Sequence, residues 1–301
     1  MKVLVTGGLG FIGSHIVDQY INHGYEVVIL DNLSTGSLSN LNPDARHFSM
    51  SLLDDTLADC LQKEKPDIIN HQAAQVNVRT SVANPIYDVE TNLIGTIRLL
   101  QTASRVGIKK FIFASSGGTV YGQTPKIALP ETFNTNPVSP YGINKLASEF
   151  YVDFYAKLYG FQSFILRYSN VYGLRQNPLS ESGVLSIFKN RIRNGLSPVV
   201  FGDGEQIRDY IHVSDVVAAN ILVSQLESPE HEIFNVGTGK GTSLNELLTL
   251  FYQVYPDAKP PVYSNAKAGD LDFNVLSVNK LTSLGWSPQI SLKEGINQLC
   301  H

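Results

Sequence analysis

Short apolar runs alternate with longer amphipathic stretches along the first half of the chain. The longest amphipathic stretch spans residues 88–106, where Val89, Leu93, Ile97 and Leu100 recur at spacings of three and four, the period of one helical face. Strands separated by helices require right-handed crossovers, which produce a mostly parallel sheet covered on both faces. The pattern therefore predicts an α/β fold of the Rossmann type, with a doubly wound parallel sheet. The predicted strands cover residues 2–6, 26–30, 46–50, 67–71 and 110–114.

The pattern loosens in the second half of the chain. A long helix at residues 141–159 and a strand at 163–167 continue the alternation, but Pro- and Gly-containing loops separate shorter elements beyond residue 170. We therefore predict a first domain in residues 1–170 and a smaller C-terminal α/β lobe in residues 171–301, with a return of the chain to the first domain left open. Ligands of open parallel sheets bind beyond the carboxyl ends of the strands, so the cleft between the two parts is the expected site. Shorter predicted helices lie near 214–226 and 245–255.

Composition narrows the class of protein. The 301 residues include 23 basic and 27 acidic side chains, and the net charge of −4 argues against general binding to nucleic acid or to anionic membranes. No apolar run approaches the roughly 20 residues that span a bilayer. The two cysteines, Cys60 and Cys300, lack metal-ligand spacing, and no other group of residues indicates a metal site. These features predict a cytoplasmic protein.

The segment after the first predicted strand carries glycines at a spacing of three residues, Gly7, Gly10 and Gly13. Gly7 permits a tight turn, Gly10 lets the backbone approach a pyrophosphate, and Gly13 lets helix and strand pack closely. The N–H groups that open the next helix would then face the phosphates. The second strand ends in Asp31, whose carboxylate would accept hydrogen bonds from the adenosine ribose and repel a 2′-phosphate. The sequence therefore predicts that residues 1–170 bind NAD rather than NADP.

Tyr141 and Lys145 lie one turn apart on a predicted helix, with Ser139 as the capping residue. A phenol has an unperturbed pKa of about 10 and is a poor base near neutrality, but a nearby ammonium or a positively charged nicotinamide lowers that pKa. A hydroxyl normally orients the reacting group, and Ser116 and Thr119 follow the fifth predicted strand. The spacing predicts Tyr141 as a catalytic base that Lys145 activates.

Together these motifs resemble the extended short-chain dehydrogenase/reductase family over essentially the whole chain. The resemblance is greatest to its UDP-glucose (UDP-galactose) 4-epimerase branch. It implies an isomerase that uses NAD to epimerise a UDP-hexose at C4 through a transient 4-keto sugar, and it implies a homodimer formed through the helices at 88–106 and 141–159. The matching segments are residues 6–13, 31–32, 71–74, 92, 115–122, 141–145, 166–173 and 202–213.

The resemblance also implies a role for individual residues. Those expected to hold NAD are Gly7, Gly10, Phe11, Ile12, Asp31, Asn32, Ala73, Ala74, Asn92, Tyr141, Lys145 and Tyr168. Those expected to bind the UDP-sugar are Ser116, Tyr141, Asn170, Arg208, Asp270 and Asn274. By the same resemblance Asn170 and Arg208 grip the diphosphate, and Asp270 binds on the nucleoside side.

The chain departs from the family pattern at two places. Many members carry Ser or Thr where this chain has Gly117, so either Ser116 or Thr119 supplies the catalytic hydroxyl; we favour Ser116. Lys267 stands where members often carry Arg, and lysine cannot form a bidentate fork on phosphate. Asn274 falls near a position where a bulky residue would exclude acetylated sugars, and its middling size leads us to hypothesise that UDP-N-acetylhexosamines are also accepted.

Other activities share this fold. A nucleotide-sugar 4,6-dehydratase needs an additional acid and base beside the hydroxyl motif, but Gly117, Gly118 and Thr119 offer no carboxylate. A UDP-glucuronate epimerase or decarboxylase stays open, because the group that would recognise a C6 carboxylate is not visible in the sequence. A non-enzymatic NAD-binding regulator is disfavoured, since such proteins typically lose one member of the Tyr–Lys pair and both are present here.

Overall fold

A parallel sheet forms the centre of the molecule. The computed structural model describes residues 1–177, 183–227, 231–266 and 271–300. Within these ranges seven strands share the sheet, in the order β10–β6–β5–β4–β1–β2–β3, and every neighbouring pair is parallel. These strands are β1 (Lys2–Thr6), β2 (Glu26–Asp31), β3 (Arg46–Ser49), β4 (Ile68–His71), β5 (Lys110–Ser116), β6 (Gln162–Tyr168) and β10 (Glu232–Val236).

Helices cover both faces of this sheet, as the alternating pattern predicts. One apolar cluster includes Val5, Ile16 and Phe234, and the cluster on the opposite face includes Leu4, Leu99 and Val152. Successive side chains of a strand point to opposite faces, which is why the neighbours Leu4 and Val5 belong to different cores. The Rossmann-type doubly wound fold is confirmed. The helices are α1 (Phe11–Asn22), α2 (Leu57–Glu64), α3 (Val78–Ala83), α4 (Pro85–Asp88), α5 (Gly95–Val106), α6 (Pro140–Tyr159), α7 (Val184–Arg193), α8 (Val213–Gln225), α9 (Leu244–Val254), α10 (Asn279–Thr282) and α11 (Leu292–Cys300).

The six strands predicted in the first half and at residues 163–167 all occur, but the predicted helix at 88–106 is not one uninterrupted α-helix. A π-helical segment, Val89–Ile94, joins α4 to α5. Wide turns of this kind are rare and occur often at functional sites. Inside it the Asn92 carbonyl accepts hydrogen bonds from the hydroxyls of Thr96, at 2.7 Å, and Ser148, at 3.2 Å. Two side-chain hydroxyls thus donate to a carbonyl that, in a regular α-helix, would accept a hydrogen bond from a backbone N–H.

A smaller lobe rests above the carboxyl edge of the sheet. It has its own core, in which Tyr172, Phe188 and Phe251 are fully buried. After α8 the chain returns to the large sheet at β10, so the second half of the sequence contributes a strand to the first unit. The lobe's strands are β7 (Asn170–Tyr172), β8 (Val199–Phe201), β9 (Ile207–His212), β11 (Gly241–Ser243), β12 (Val262–Ser264) and β13 (Phe273–Asn274).

A buried ion pair connects the sheet to α6 beneath the cleft. Arg167 on β6 and Glu149 on α6 are each 4% exposed, and the Arg167 Nη2 lies 2.6 Å from Glu149 Oε2. Ser115 donates to the same carboxylate at 2.5 Å, and Tyr121 accepts from Arg167 and donates to Asn235 on β10. Buried charges are tolerated when they are paired and fully hydrogen-bonded, and this network fixes α6 relative to β5, β6 and β10.

No helix among the described residues combines the length and the apolar character that crossing a bilayer requires.

Candidate active site

One large cavity lies where the carboxyl ends of the sheet strands face the smaller lobe. Its volume is about 1620 Å³, beyond the roughly 300–1,000 Å³ of an ordinary small-molecule site. Residues from both parts of the chain line it, so it has the dimensions for a dinucleotide together with a second ligand. The predicted site residues that line it are Gly7, Gly10, Phe11, Ile12, Asp31, Asn32, Ala73, Ala74, Ser116, Thr119, Tyr141, Lys145, Tyr168, Asn170 and Arg208.

The turn after β1 is shaped for close approach. Gly7 has φ +66°, and a Cβ atom there would lie 2.8 Å from the backbone of Ala73 on the neighbouring strand's extension. A Cβ at Gly13 would lie 2.1 Å from the Gly7 carbonyl oxygen. Helix α1 begins directly after this turn with no side-chain cap and no acidic residue in its first turn. The free N–H groups at its start, with the positive end of the helix dipole, therefore fit a diphosphate.

Asp31 lies at the end of β2 and is 6% exposed. Its carboxylate accepts hydrogen bonds from the backbone N–H of Leu9, at 3.0 Å, and of Leu33, at 2.8 Å. Each carboxylate oxygen retains a further lone pair, so ribose hydroxyls can still donate to it. Asp31 therefore supports the glycine turn as well as facing the cavity, a structural task that the sequence does not indicate.

The loop after β4 is held from behind by Asn92. The Asn92 amide donates to the Gln75 carbonyl and accepts from the Gln75 N–H, both at 2.9 Å. Asn92 is 2% exposed and does not line the cavity, so its contribution is to shape the loop that carries Ala73 and Ala74. His71, at the end of β4, is a buried structural residue. Burial lowers its pKa to about 3, and its ring lies between the hydroxyls of Thr6 and Thr96.

The first turn of α6 places Tyr141 in the cavity wall. Ser139 caps the helix by accepting a hydrogen bond from the Gly142 N–H, and Pro140 occupies the first helical position. The Ser116 hydroxyl, at the end of β5, is near enough to the Tyr141 phenol to lower its pKa. One turn later, the Lys145 ammonium donates to the Ala114 carbonyl at 2.8 Å and lies 5.9 Å from the centroid of the Tyr141 ring. The predicted Tyr–Lys–hydroxyl group is thus assembled at one point.

The electrostatics of this group differ from the simple expectation that Lys145 lowers the pKa of the phenol. Burial raises the pKa of Tyr141 above its usual value, the Asp88 carboxylate raises it further, and the Ser116 hydroxyl opposes both. Burial lowers the pKa of Lys145 to about 8, although Asp88 and Glu149 favour its charged form. Forming the phenolate therefore requires more positive charge beside Tyr141 than the lysine supplies.

Ser116 and Thr119 occupy different positions relative to Tyr141. The Ser116 hydroxyl is near enough to Tyr141 to lower the pKa of the phenol, and Thr119 has no such effect on it, while its buried Oγ1 has no hydrogen-bond partner among the described residues. The Thr119 carbonyl and Cβ instead pack against Gly142, where an added Cβ would meet them at 3.0 and 3.3 Å. This geometry supports Ser116 as the hydroxyl that works with Tyr141.

The substrate-side residues predicted from the sequence are only partly brought to the cavity. Asn170 on β7 and Arg208 on β9 line it, and these strands are joined through the pairing of β7 with β9. Asn274 is 1% exposed, does not line the cavity and donates to the Gly117 carbonyl at 3.0 Å, so it supports the hydroxyl loop from behind. Asp270 and Lys267 lie outside the described residues.

Several wall residues escaped the sequence interpretation. Tyr210 lies two residues after Arg208 on β9, and side chains two residues apart in a strand face the same side. This alternation could have predicted Tyr210 as a cavity residue. Arg175 lies after β7, has a φ of +64° and pairs with Asp18 on α1 at 2.8 Å. No sequence pattern predicts that an arginine adopts this left-handed backbone conformation. Asp88 does not line the cavity but lies buried behind it, and the sequence did not indicate it because its partners, Gln75, Asn92 and Asn144, are scattered along the chain.

Comparison with known proteins shows which family the chain resembles. A sequence profile of the NAD dependent epimerase/dehydratase family matches residues 3–237. The crystal structure of the UDP-glucose 4-epimerase of Thermotoga maritima, with UDP-glucose, is 44% identical, covers 100% of this chain and 97% of its own, and has a TM-score of 0.96.

Two further solved structures are also similar. The UDP-glucose 4-epimerase of Thermus thermophilus, in complex with NAD, is 40% identical with a TM-score of 0.94, covering 100% of this chain and 97% of its own. The UDP-N-acetylglucosamine 4-epimerase of Methanobrevibacter ruminantium M1, in complex with UDP-N-acetylmuramic acid, is 35% identical with a TM-score of 0.91, covering 99% and 97%.

A substitution in the glycine turn after β1 tests whether this turn binds the cofactor. Gly7→Ala would place a methyl group against the Ala73 backbone at a left-handed position, which pushes the two strand extensions apart where a diphosphate binds. We expect the NAD retained per folded protein to fall at least about tenfold, equivalent to about 1.4 kcal/mol of binding free energy. The measurement is the NAD released on denaturation of the purified protein.

Gly24→Ala is the matched control. Gly24 also has a positive φ, +77°, but an added Cβ there meets nothing within 4 Å. This variant therefore carries similar backbone strain without disturbing the turn, and it should retain NAD. Equal NAD contents in the two variants would contradict the assignment.

Proposed function

Because the chain belongs to the NAD-dependent epimerase/dehydratase family, we propose that it is a UDP-hexose 4-epimerase that interconverts UDP-glucose and UDP-galactose. In this proposal residues 1–170 mainly bind NAD, with β10 completing their sheet, and residues 171–301 mainly bind the UDP-sugar. The similarity to solved UDP-glucose 4-epimerases over the full length of the chain supports the choice of substrate.

One observation carries the proposal. Tyr141, Ser116 and Lys145 meet at the cavity wall, on the same sheet edge as the glycine turn of α1. When bound, NAD would supply the oxidising group for C4 and a positive charge within the cavity. Burial raises the pKa of Tyr141, so positive charge in the cavity would favour its phenolate form.

The residues of the chain then handle the proton and hold the nucleotide. Tyr141, as phenolate, takes the proton from the sugar 4-hydroxyl, and Ser116, which lies beside the tyrosine, orients that hydroxyl. Arg208 and Asn170, which line the cavity, hold the diphosphate. The sugar itself needs few strong contacts, because the 4-keto ring has to turn over before Tyr141 returns the proton to the opposite epimer.

Rival reactions have less support. A 4,6-dehydratase needs an acid and a base next to the hydroxyl motif, but Ser116, Gly118 and Thr119 line the cavity there and Gly117 packs against Leu276. Acetylated substrates remain part of the proposal. A similar protein is a UDP-N-acetylglucosamine 4-epimerase, and the buried position of Asn274 leaves it unable to block an acetyl group directly.

The activity can be tested without added cofactor. Purified protein incubated with UDP-galactose should form UDP-glucose, followed by NMR, with no net NADH absorbance, and a parallel incubation should convert UDP-N-acetylglucosamine. Tyr141→Phe, which keeps the ring but removes the acid–base group, should lose turnover. Unchanged UDP-galactose, even with added NAD, would contradict the proposal, and turnover of UDP-galactose alone would restrict it to hexoses.

The two candidate hydroxyls can be separated by mutation. Ser116→Ala removes the hydroxyl that lowers the pKa of Tyr141, and we expect kcat to fall by at least about 100-fold. Thr119→Val replaces a hydroxyl that lacks a hydrogen-bond partner among the described residues, so kcat should change by less than about tenfold and stability should not suffer. The opposite order of effects in a steady-state assay would assign the role to Thr119.

We also propose a cytoplasmic homodimer formed through α5 and α6. Both cysteines are free thiols, consistent with a reducing compartment. Helix α6 presents an apolar stripe to solvent, with Ile143 52%, Phe150 67%, Phe154 55% and Leu158 58% exposed, at spacings of seven, four and four residues that keep them on one face. Contiguous exposed apolar surface of this kind commonly marks a protein interface.

A charge introduced into this stripe should dissociate the dimer. Phe154→Glu would place a carboxylate at the centre of the contact, and sedimentation equilibrium should then report a monomer. Tyr263→Glu serves as the control, because Tyr263 is similarly exposed, at 52%, but lies on β12. A wild-type monomer at micromolar concentration, or a dimeric Phe154→Glu variant, would overturn the assignment.

A further inference from the structure

Asp88 interacts electrostatically with both Tyr141 and Lys145 but takes no part in the proposed proton transfer or in binding the nucleotide. It closes α4 at the start of the π-helical segment and is 0% exposed. An isolated carboxylate at such a site would be very costly, so its surroundings must be built to keep it.

Three side-chain amides form that environment. Asn144 donates to one carboxylate oxygen at 2.7 Å, and Gln75 and Asn92 donate to the other at 2.6 and 3.0 Å. Asn144 lies on α6 between Tyr141 and Lys145, whereas Gln75 belongs to the loop that leads away from β4. Asp88 thus joins the helix of the catalytic pair to the cofactor loop.

The donors satisfy the carboxylate without neutralising it. All three are uncharged, so the negative charge of Asp88 acts on the groups around it. Other buried carboxylates of the molecule are arranged differently: Glu149 is paired with Arg167, and Asp215 accepts from the backbone N–H groups of Gln289 and Ile290. Asp88 is therefore suited to supply charge at a fixed place.

We propose that Asp88 is a positioning residue for the reaction: through Asn144 it fixes the first turns of α6 against the cofactor loop, and its charge holds Lys145 as an ammonium within the buried site. The expected effect on turnover rests on the proposed function, whereas the structural role of Asp88 does not.

The charged and titratable groups around the pair are few. Lys145 faces Asp88, Glu149 on its own helix, the phenol of Tyr141, and His71 on β4, while Tyr141 faces Asp88 and the Ser116 hydroxyl. Glu149 is neutralised by Arg167, and the low pKa of His71 keeps that ring uncharged. Asp88 is thus the carboxylate that raises the pKa values of both Lys145 and Tyr141, whereas Glu149 raises that of Lys145 alone.

This arrangement predicts the direction of a pH effect. Activity requires the phenolate, which sets the acidic limb of the pH profile, and the ammonium, which sets the alkaline limb. Removing the charge of Asp88 lowers the pKa of both groups, so both limbs should move to lower pH. A residue needed only for packing would reduce kcat or stability and leave both limbs in place.

Asp88→Asn is the direct test, because it removes the charge and keeps the size, and the Asn144 amide can turn over to present its oxygen. We expect the profile of kcat to move downward by about one pH unit, the typical effect of one nearby buried charge. The control is Asp215→Asn, which removes another buried carboxylate and should leave the profile unshifted. An unshifted profile in Asp88→Asn, with kcat reduced, would overturn the proposal.

A second measurement is independent of substrate. Ionisation of Tyr141 can be followed by ultraviolet difference absorbance between NAD-loaded protein and its Tyr141→Phe variant, with and without Asp88→Asn. A midpoint that falls on loss of Asp88 supports the proposal even if UDP-galactose is not turned over, so failure of the proposed function would be recognised separately. If Asp88→Asn and the smaller Asp88→Ser both fail to fold where Asp215→Asn folds, Asp88 is a purely structural residue and the proposal is wrong.

Discussion

Burial of the Tyr141 phenol is the constraint on which the site depends. A phenolate is costly in a dry environment, and burial together with Asp88 raises the pKa of Tyr141. Two neighbouring groups bear on the cost of ionising Tyr141. Ser116 lowers the pKa of the phenol, and Lys145 is held in place by its hydrogen bond to the Ala114 carbonyl. In the proposed function, positive charge from bound NAD would favour the phenolate and so link proton removal to the presence of the oxidant.

The scaffold holds these groups to that geometry. Ser116 and Ala114 belong to β5, whereas Tyr141 and Lys145 belong to α6, so the alignment of one strand with one helix decides the chemistry. The buried Arg167–Glu149 pair and the Asp88 amide cluster connect α6 to β6 and to the cofactor loop from two sides. Packing alone tolerates small shifts of a helix, but directional polar contacts resist them, and catalysis is sensitive to such shifts.

Local patterns predicted most of the fold and much of the site. The alternating apolar runs identify the sheet strands because parallel strands are buried on both faces, and Tyr141 and Lys145 are one turn apart in any helix. The interrupted helix at Val89–Ile94 and the place of Asn274 behind the Gly117 loop were not predictable in this way. Both depend on contacts between residues far apart in the chain: Asn92 with Gln75 and Ser148, and Asn274 with Gly117.

In the proposed reaction, C4 is oxidised and then reduced again within one active site while the nucleotide stays bound. The decisive experiment uses UDP-galactose carrying deuterium at C4, in ordinary water and without added NAD. We expect UDP-glucose that retains the deuterium at C4, because the hydrogen removed from that carbon is returned to it while Tyr141 exchanges only the hydroxyl proton. Product with solvent hydrogen at C4 would rule this reaction out, since it would require a route in which the C4 hydrogen leaves as a proton.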